Sequence, residues 1–393
     1  MAYRFDGGVA RKSSRVDVDQ LRNWKLVEAF RSRVLPLLAG ARRHPSEEDR
    51  RRTLHAVDYL SAFLLAVFNP AVSSLRALAA LSQAKRMRQI TRAPFTASSF
   101  SAGQHLFDAS VLNRLVRQLA AELHAKNLGQ EEHGGDSRVR QALASLTAVD
   151  GTIFRAVDRM VWARASGHGK AARLHVQFHI FEQTPERWTI TPGVGNEAAV
   201  FGEQLRSGAF YVGDRLYGRH EVLEQLLEAG ADFVIRLNNN SILTPVQERR
   251  PLRAEDRKAG VVWDQTMRLG AHGQGPVLRV VRVEAGGHLL HFATSRCDLD
   301  AELIGLIYRQ RWQIELFFKW IKTMLNGRHW FAESPSGAQM QLYSVLVCAL
   351  LLMLWTGRRP NRRAIEALRF YQMGWADEQD LAVLLRRAYP QKN

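Results

Sequence analysis

The chain has 393 residues, 46% of them hydrophobic, and a net charge of +17 with an isoelectric point near 10.5. That length is enough for two or three domains with sizeable cores, and the composition is ordinary for a folded protein. The charge suits a polyanionic partner, nucleic acid first and an anionic membrane second. The only two cysteines, Cys297 and Cys348, exclude a disulfide framework and a thiolate zinc site and point to a reducing cytoplasm.

Residues 1–92 hold 18 lysines and arginines against 8 acids, so DNA holding is expected to begin there. The first residues, MAYRFDGGVARKSS, contain no apolar stretch of the kind a secretory signal needs, and none is expected. Residues 1–140 read as helical. Apolar spacing through Leu54, Val57, Leu60, Leu64 and Val67 stops at Asn69-Pro70. Ser74 to Gln83 forms a second helix, followed by the basic KRMRQITRAPF. Short helix, break and Ser/Thr-opened helix is the pattern of a helix-turn-helix with Thr96 to Asp108 as the reading helix; a plain helical bundle fits the same pattern. Polar GQEEHGGDS at 129–137 reads as a linker.

Beyond residue 141 the period becomes strand-like. SLTAVDGTIF is a strand ending at Asp150-Gly151, ARLHVQFHIF alternates as a half-buried strand, and RWTITPG is a third. A helix opens at Asn196 and runs to Leu205. AFYVGD is a strand ending at Asp214, His220 to Ala229 is a helix, and DFVIRL is a fifth strand. This order is a mixed α/β sheet. Residues 238–300 interrupt it with loop-rich sequence and three alternating segments, a β-rich insertion. The 14-residue apolar run Leu342 to Trp355 is short against the roughly 20 residues a membrane span needs, so a buried core helix is expected within a helical tail.

The segment LIGLIYRQRWQIELFFKWIKTML carries the densest chemical signal. At about 100° per residue on one helix, with Tyr308 at zero, Arg311 falls near −60°, Glu315 near −20°, Lys322 near −40° and Lys319 near +20°. A phenol, one carboxylate and three cations thus share a stripe, while Ile314, Phe317, Phe318 and Ile321 lie elsewhere. Such a stripe suits a metal-assisted phosphate site, the acid holding a divalent ion and the cations holding phosphates. A solvated charged face with pairs such as Glu315–Lys319 is the simpler explanation of this segment alone. Asp150 and Asp214, each at a strand end, add two hard oxygen donors where open α/β sheets place reactive groups. Taken singly, each is more simply a turn or cap residue.

Together, DGT at 150–152, DRLY at 214–217 and Y-x2-R-x3-E-x6-K at 308–322 resemble the signature regions of DDE transposases of the insertion-sequence-four family. The resemblance implies an RNase H-like mixed-sheet catalytic core over 138–330, interrupted by the 238–300 insertion. A helical DNA-binding domain over 1–137 and a helical region over 331–393 flank it. It implies that Asp150, Asp214 and Glu315 are catalytic and bind two Mg²⁺ or Mn²⁺ ions. It also implies that Tyr308, Arg311 and Lys322 grip phosphates at the element ends, with Lys319 a weaker candidate beside them. The implied partner is double-stranded DNA, at element ends and target, held by a homodimer, in the cytoplasm at the bacterial nucleoid and without a membrane. A non-catalytic or decayed DNA-binding protein of the same fold is the alternative.

Other residues carry competing signals. Gly193-x-Gly195-x-x-Ala198, with Asp214 19 residues beyond Gly195, approaches a dinucleotide fingerprint, but Pro192 precedes it and the unit is not the first strand–helix pair. His175 and His179 share a strand face without the HExxH of a zinc hydrolase. Arg215 reads as either a DNA contact or a structural pair, and solvation is the default for Lys170 and Arg173. Trp263 and Trp312 read as core residues before base-stacking ones.

Overall fold

The computed structural model describes residues 25–41, 43–69, 71–126, 141–156, 160–163, 169–270, 274–325, 330–357 and 361–389. The linker expected at 129–137 lies outside them. Five helices come first: α1 (Lys25–Ala39), α2 (Ala56–Phe68), α3 (Leu75–Leu81), α4 (Ala97–Leu106) and α5 (Ser110–Ala125). Side chains start two of them. Ser74 accepts from the Ala77 N–H, and Thr96 from the Ser99 N–H. The helix expected over Thr96 to Asp108 is therefore α4. It buries Phe100, Gly103 and Gln104, and its exposed Ser98, Ser99, Ala102 and His105 include no lysine or arginine.

Nine strands follow among the described residues: β1 (Leu146–Arg155), β2 (Ala171–His179), β3 (Thr184–Pro192), β4 (Phe210–Gly213), β5 (Asp232–Arg236), β6 (Leu243–Pro245), β7 (Val261–Leu269), β8 (Val277–Ala285) and β9 (His288–Thr294). They form one sheet in the order β3-β2-β1-β4-β5-β9-β8-β7-β6. The β1–β4 and β4–β5 pairs are parallel and the others antiparallel. The strands of the expected insertion thus extend the sheet itself, joined through β9 to β5. Alternation along each strand sorts side chains to two faces. Val149, Tyr211, Phe233 and Ile235 meet Phe201 of α6 (Glu197–Gly202) and Val222, Leu223 and Leu226 of α7 (His220–Glu228). Their neighbours Ala148, Val212 and Val234 go to the other face. There they join Ile304 and Ile307 of α9 (Ala301–Gln310) and Ile314, Phe317 and Ile321 of α10 (Trp312–Leu325). A short α8 (Ala254–Lys258) separates β6 from β7.

Three further helices complete the described chain: α11 (Pro335–Thr356), α12 (Arg362–Gln372) and α13 (Glu378–Ala388). Ser334 caps α11 with Pro335 at its first turn, and Gly357, at φ 69, ends it in the left-handed region that glycine enters without steric cost. By length and composition α11 would cross a membrane, yet 89% of its apolar window is buried, and it packs on α5 and α2. Gln104 of α4 ties the helical layers: its Oε1 accepts from the Glu333 N–H at 3.1 Å, the Ser334 N–H at 3.0 Å and the Ser334 hydroxyl at 2.8 Å.

Two expectations are corrected. β1 does not end at Asp150-Gly151 but runs to Arg155, because β2 pairs with it along its whole length. The single helix from Tyr308 to Lys322 is two, meeting at Arg311. There the ladder tightens to i→i+3 bonds, Arg311 N–H to Tyr308 O at 3.0 Å and Ile314 N–H to Arg311 O at 3.1 Å.

The extended sheet also anchors the start of α9. Arg279 of β8 is 4% exposed, and its guanidinium donates to Asp264 of β7 at 2.7 Å. It donates further to the carbonyls of Arg296 at 2.7 Å and Leu299 at 2.6 Å, in the segment that leads into α9. Asp256 of α8 accepts from the Glu302 N–H at 3.0 Å in the first turn of α9. Removing one member of a buried ion pair strands the other charge. Arg279→Met is therefore expected to lower stability by about 3–5 kcal/mol in urea denaturation, and Arg279→Met/Asp264→Leu to recover most of that loss. A double variant no more stable than the single one would refute the pairing argument.

Candidate active site

Strand register brings the two aspartates level. Ala148 of β1 is paired in parallel with Val212 of β4. Asp150 lies two residues beyond Ala148, and Asp214 two residues beyond Val212, just after β4 ends at Gly213. With a side-chain period of two, Asp150 shares the face of Ala148, the face covered by α9 and α10. Asp214 closes a turn, its Oδ1 accepting from the Leu216 N–H at 2.8 Å. Glu315 stands in the first turn of α10, over the same face.

Arg311 links these groups. Its Nη2 donates to Glu315 Oε1 at 2.5 Å, and its Nη1 lies 3.7 Å from Asp150 Oδ2. The guanidinium also rests over the Tyr308 ring, 5.7 Å from its centroid, and that ring stacks on Phe292 at 4.5 Å. As the side chains stand, no three His, Cys, Asp or Glu groups among the described residues converge closely enough to hold one ion. The structure therefore places Asp150 in the field of Asp214 and Glu315 against Arg311, and it leaves the three acids short of a single shared point.

Charge at Asp150 is costly. Burial pushes its carboxyl up to about 7, the Gly151 N–H eases it, Asp214 raises it further, Arg311 lowers it and Glu197 raises it. Glu197 is raised as well, by burial first, against the lowering effect of Arg173, with Asp214 adding to the rise. This fourth acid has no signature in the sequence; it is a helix-opening residue behind Asn196. Arg173, expected to be solvated, is instead 17% exposed and paired with Glu197 at 2.6 Å. Buried Tyr217, of the DRLY segment, lies against the same carboxylate.

A cleft of about 720 Å³ opens beside Asp150 and Glu315. Asp150, Gly151, Thr152, Glu315, Lys319 and Lys322 line one side, and Arg362, Glu366 and Arg369 of α12 the other. Lys319 and Lys322 are exposed, and the Lys322 ammonium sits 5.9 Å from the Phe154 ring centroid. Arg369 fixes the far wall by donating to the Thr323 carbonyl of α10 at 2.9 Å. Arg362, paired with Glu366 at 2.8 Å, keeps 84% of its side chain exposed. No motif marks α12, which lies 40 residues or more beyond Lys322.

Other candidates resolve into structural roles. His175 Nε2 meets the Thr191 hydroxyl at 2.8 Å, and His179 Nδ1 accepts from the Glu182 N–H at 3.2 Å. The glycines at 193 and 195 follow an antiparallel edge strand separated from β4 by β2 and β1, so the parallel unit of a dinucleotide fold is missing. Trp263 is buried as expected of a core residue, but Trp312, expected in the core as well, is 57% exposed, and Arg215 is exposed. Cys297 and Cys348 are both free.

Mixed sheet, level aspartates and a cleft lined by acids, lysines and arginines define the site. Residues 141–352, more than half the chain, match the family described as Transposase DDE domain, and the chain belongs to that family. It is 30% identical over 236 residues to a putative transposase of Sinorhizobium fredii, y4zB, an alignment covering 59% of this chain and 66% of the relative. It is 29% identical over 230 residues to a probable transposase for insertion sequence element IS5377 of Geobacillus stearothermophilus, covering 57% and 60%. A transposase for element IS421 of Escherichia coli shares 35% identity over 80 residues, 20% and 22% of the two chains. The chain thus spans just under two thirds of the length of the longer-matching relatives.

The raised Asp150 carboxyl has a measurable consequence. Between about pH 4 and pH 7 the folded chain holds a proton that the unfolded chain has released, so folding stability falls as pH rises across that window. Asp150→Asn removes the buried charge while keeping its shape. The variant is expected to melt above the parent at pH 8 and level with it at pH 4. An equal difference at both pH values would show that charge is not the cause.

Proposed function

We propose that this chain is a DNA transposase that binds the terminal inverted repeats of its element, cleaves DNA there and joins the freed 3′-hydroxyls to target DNA. Supporting the RNase H-like reading is the β3-β2-β1-β4-β5 order, antiparallel on one side of β1 and parallel on the other. The single observation that carries the function is the parallel register that sets Asp214 level with Asp150, which lines a groove together with Glu315, Lys319 and Lys322.

The donors fit a divalent ion in kind. Asp150, Asp214 and Glu315 offer hard carboxylate oxygens, the ligands Mg²⁺ and Mn²⁺ prefer, and half-buried Asp150 stays raised despite Arg311, so added positive charge would ease it. Glu315 faces Arg311, so holding an ion with all three acids needs that pair to open. When bound, a pair of such ions supplies activation of the attacking oxygen and stabilisation of the leaving one. The chain's own part is to hold the strand. Lys319 and Lys322 present free charge to phosphates without rearrangement, whereas Arg311 must first leave the acids. Tyr308, half-buried on Phe292, positions Arg311 and borders the same stripe. Synapsis of two ends is proposed to use a homodimer.

An element-end duplex incubated in Mg²⁺ is expected to be cut by the parent chain and left intact by Asp150→Ala, Asp214→Ala and Glu315→Ala, each still folded and still binding DNA. Cleavage undiminished by excess chelator would refute the metal-dependent reading. DNA binding without cleavage by the parent would identify the non-catalytic alternative.

The two walls of the groove give a second test. Lys322→Ala and Arg362→Ala are each expected to reduce the salt slope of DNA binding by about one, as the loss of one phosphate contact does. An unchanged slope for either variant removes that residue from the DNA path.

A further inference from the structure

Glu197 lies behind the aspartates rather than among them. It opens α6, whose Phe201 packs on the sheet face opposite Ala148 and Asp150. Arg173 of β2 holds it there: Nη1 donates to Glu197 Oε1 at 2.6 Å and to the Gly195 carbonyl at 3.2 Å. Both side chains are largely buried, at 17% and 13% exposure. The second oxygen, Oε2, is buried and has no hydrogen-bond partner among the described residues.

What Oε2 touches explains its place. A Cβ on Gly151 would stand 2.6 Å from it and 3.0 Å from Cδ, closer than such atoms approach. Gly151 is not among the residues with positive φ, so what a side chain there would meet is the Glu197 carboxylate, which would have to shift, and not backbone strain. On its other side the carboxylate meets Tyr217, whose N–H closes the Asp214 turn by donating to the Asp214 carbonyl at 3.2 Å. One carboxylate therefore abuts both acid-bearing segments, DGT through Gly151 and DRLY through Tyr217. A carboxylate oxygen held in so buried a place costs free energy, and its contacts with Gly151 and Tyr217 supply a reason for it to be there.

We propose that Glu197 is a positioning residue: braced by Arg173, it fills the space behind Gly151 and Tyr217 and so fixes the separation of Asp150 from Asp214. The proposal rests on the transposase reading, because it is the ion-holding geometry of those aspartates that Glu197 would set.

Mn²⁺ binding followed by electron paramagnetic resonance reads that geometry without turnover. Loss of a supporting group behind metal ligands typically weakens metal binding by about tenfold or more, and that is the loss expected for Glu197→Ala. Circular dichroism and the affinity for element-end DNA should stay at parental values. In cleavage assays the Mg²⁺ concentration for half-maximal rate should rise by about the same factor with KM for DNA unchanged, a split that a lowered folded fraction would not produce. Glu197→Gln keeps size and the Arg173 contact and should restore most of the Mn²⁺ affinity. Should Glu197→Ala fail to fold, Gly151→Ala tests the same contact by driving a methyl group against Oε2, with the same expected loss. Parental Mn²⁺ binding in either folded variant overturns the proposal. A parent chain that binds no Mn²⁺ overturns the transposase reading and this inference with it, an outcome distinct from a parent and variant that bind alike.

Discussion

The register of one parallel strand pair governs this molecule. Ala148 opposite Val212 fixes where Asp150 and Asp214 stand, and every other feature of the site is arranged around the result. Two carboxylates brought level on neighbouring interior strands repel one another, and partial burial of Asp150 adds to the cost of its charge. Counter-charge stands close by: Arg311 between Asp150 and Glu315, and Arg173 against the neighbouring Glu197. A slip of one residue between the strands would turn Asp150 toward α6 and dissolve the arrangement.

Arg311 is the point at which chain geometry and electrostatics meet. It occupies the junction between α9 and α10, where the hydrogen-bond ladder tightens. Its planar fork serves Glu315, Asp150 and the Tyr308 ring together, a combination the point charge of lysine does not reproduce. The same residue that keeps the acids quiet thus competes with any cation that enters among them.

Much of this was legible in the sequence. The helix starts at Ser74 and Thr96 and the strand–helix order from β1 to β5 follow from local periodicity and hydrogen-bonding chemistry, and the structure repeats them. The strand at 171–179 forms, but it is buried on both faces and not on one: His175, Gln177 and His179 are covered along with Leu174, Val176 and Phe178. The strand-end places of two acids were legible in part: Asp214 directly follows β4, whereas β1 runs on past Asp150. The rest depended on pairing across the sheet. The reach of β1 to Arg155 is set by β2, and the strands of 243–294 reveal their place only through the β5–β9 ladder. Glu197, Arg173 and the α12 wall carry no periodic signal. They matter because distant segments meet, and contact between segments far apart in sequence is not written in either one.

The placement of α11 bears on how such a chain comes into being. Ribosomes release α2, α4 and α5 long before residues 335–356, yet those early helices spend their apolar surfaces on this late one, and Gln104 awaits Ser334. The nascent N-terminal segment therefore emerges with its greasy side uncovered and reaches its final packing only when synthesis has passed the acidic site. A message broken ahead of codon 335 would yield an unfinished product prone to aggregation rather than a freestanding binder.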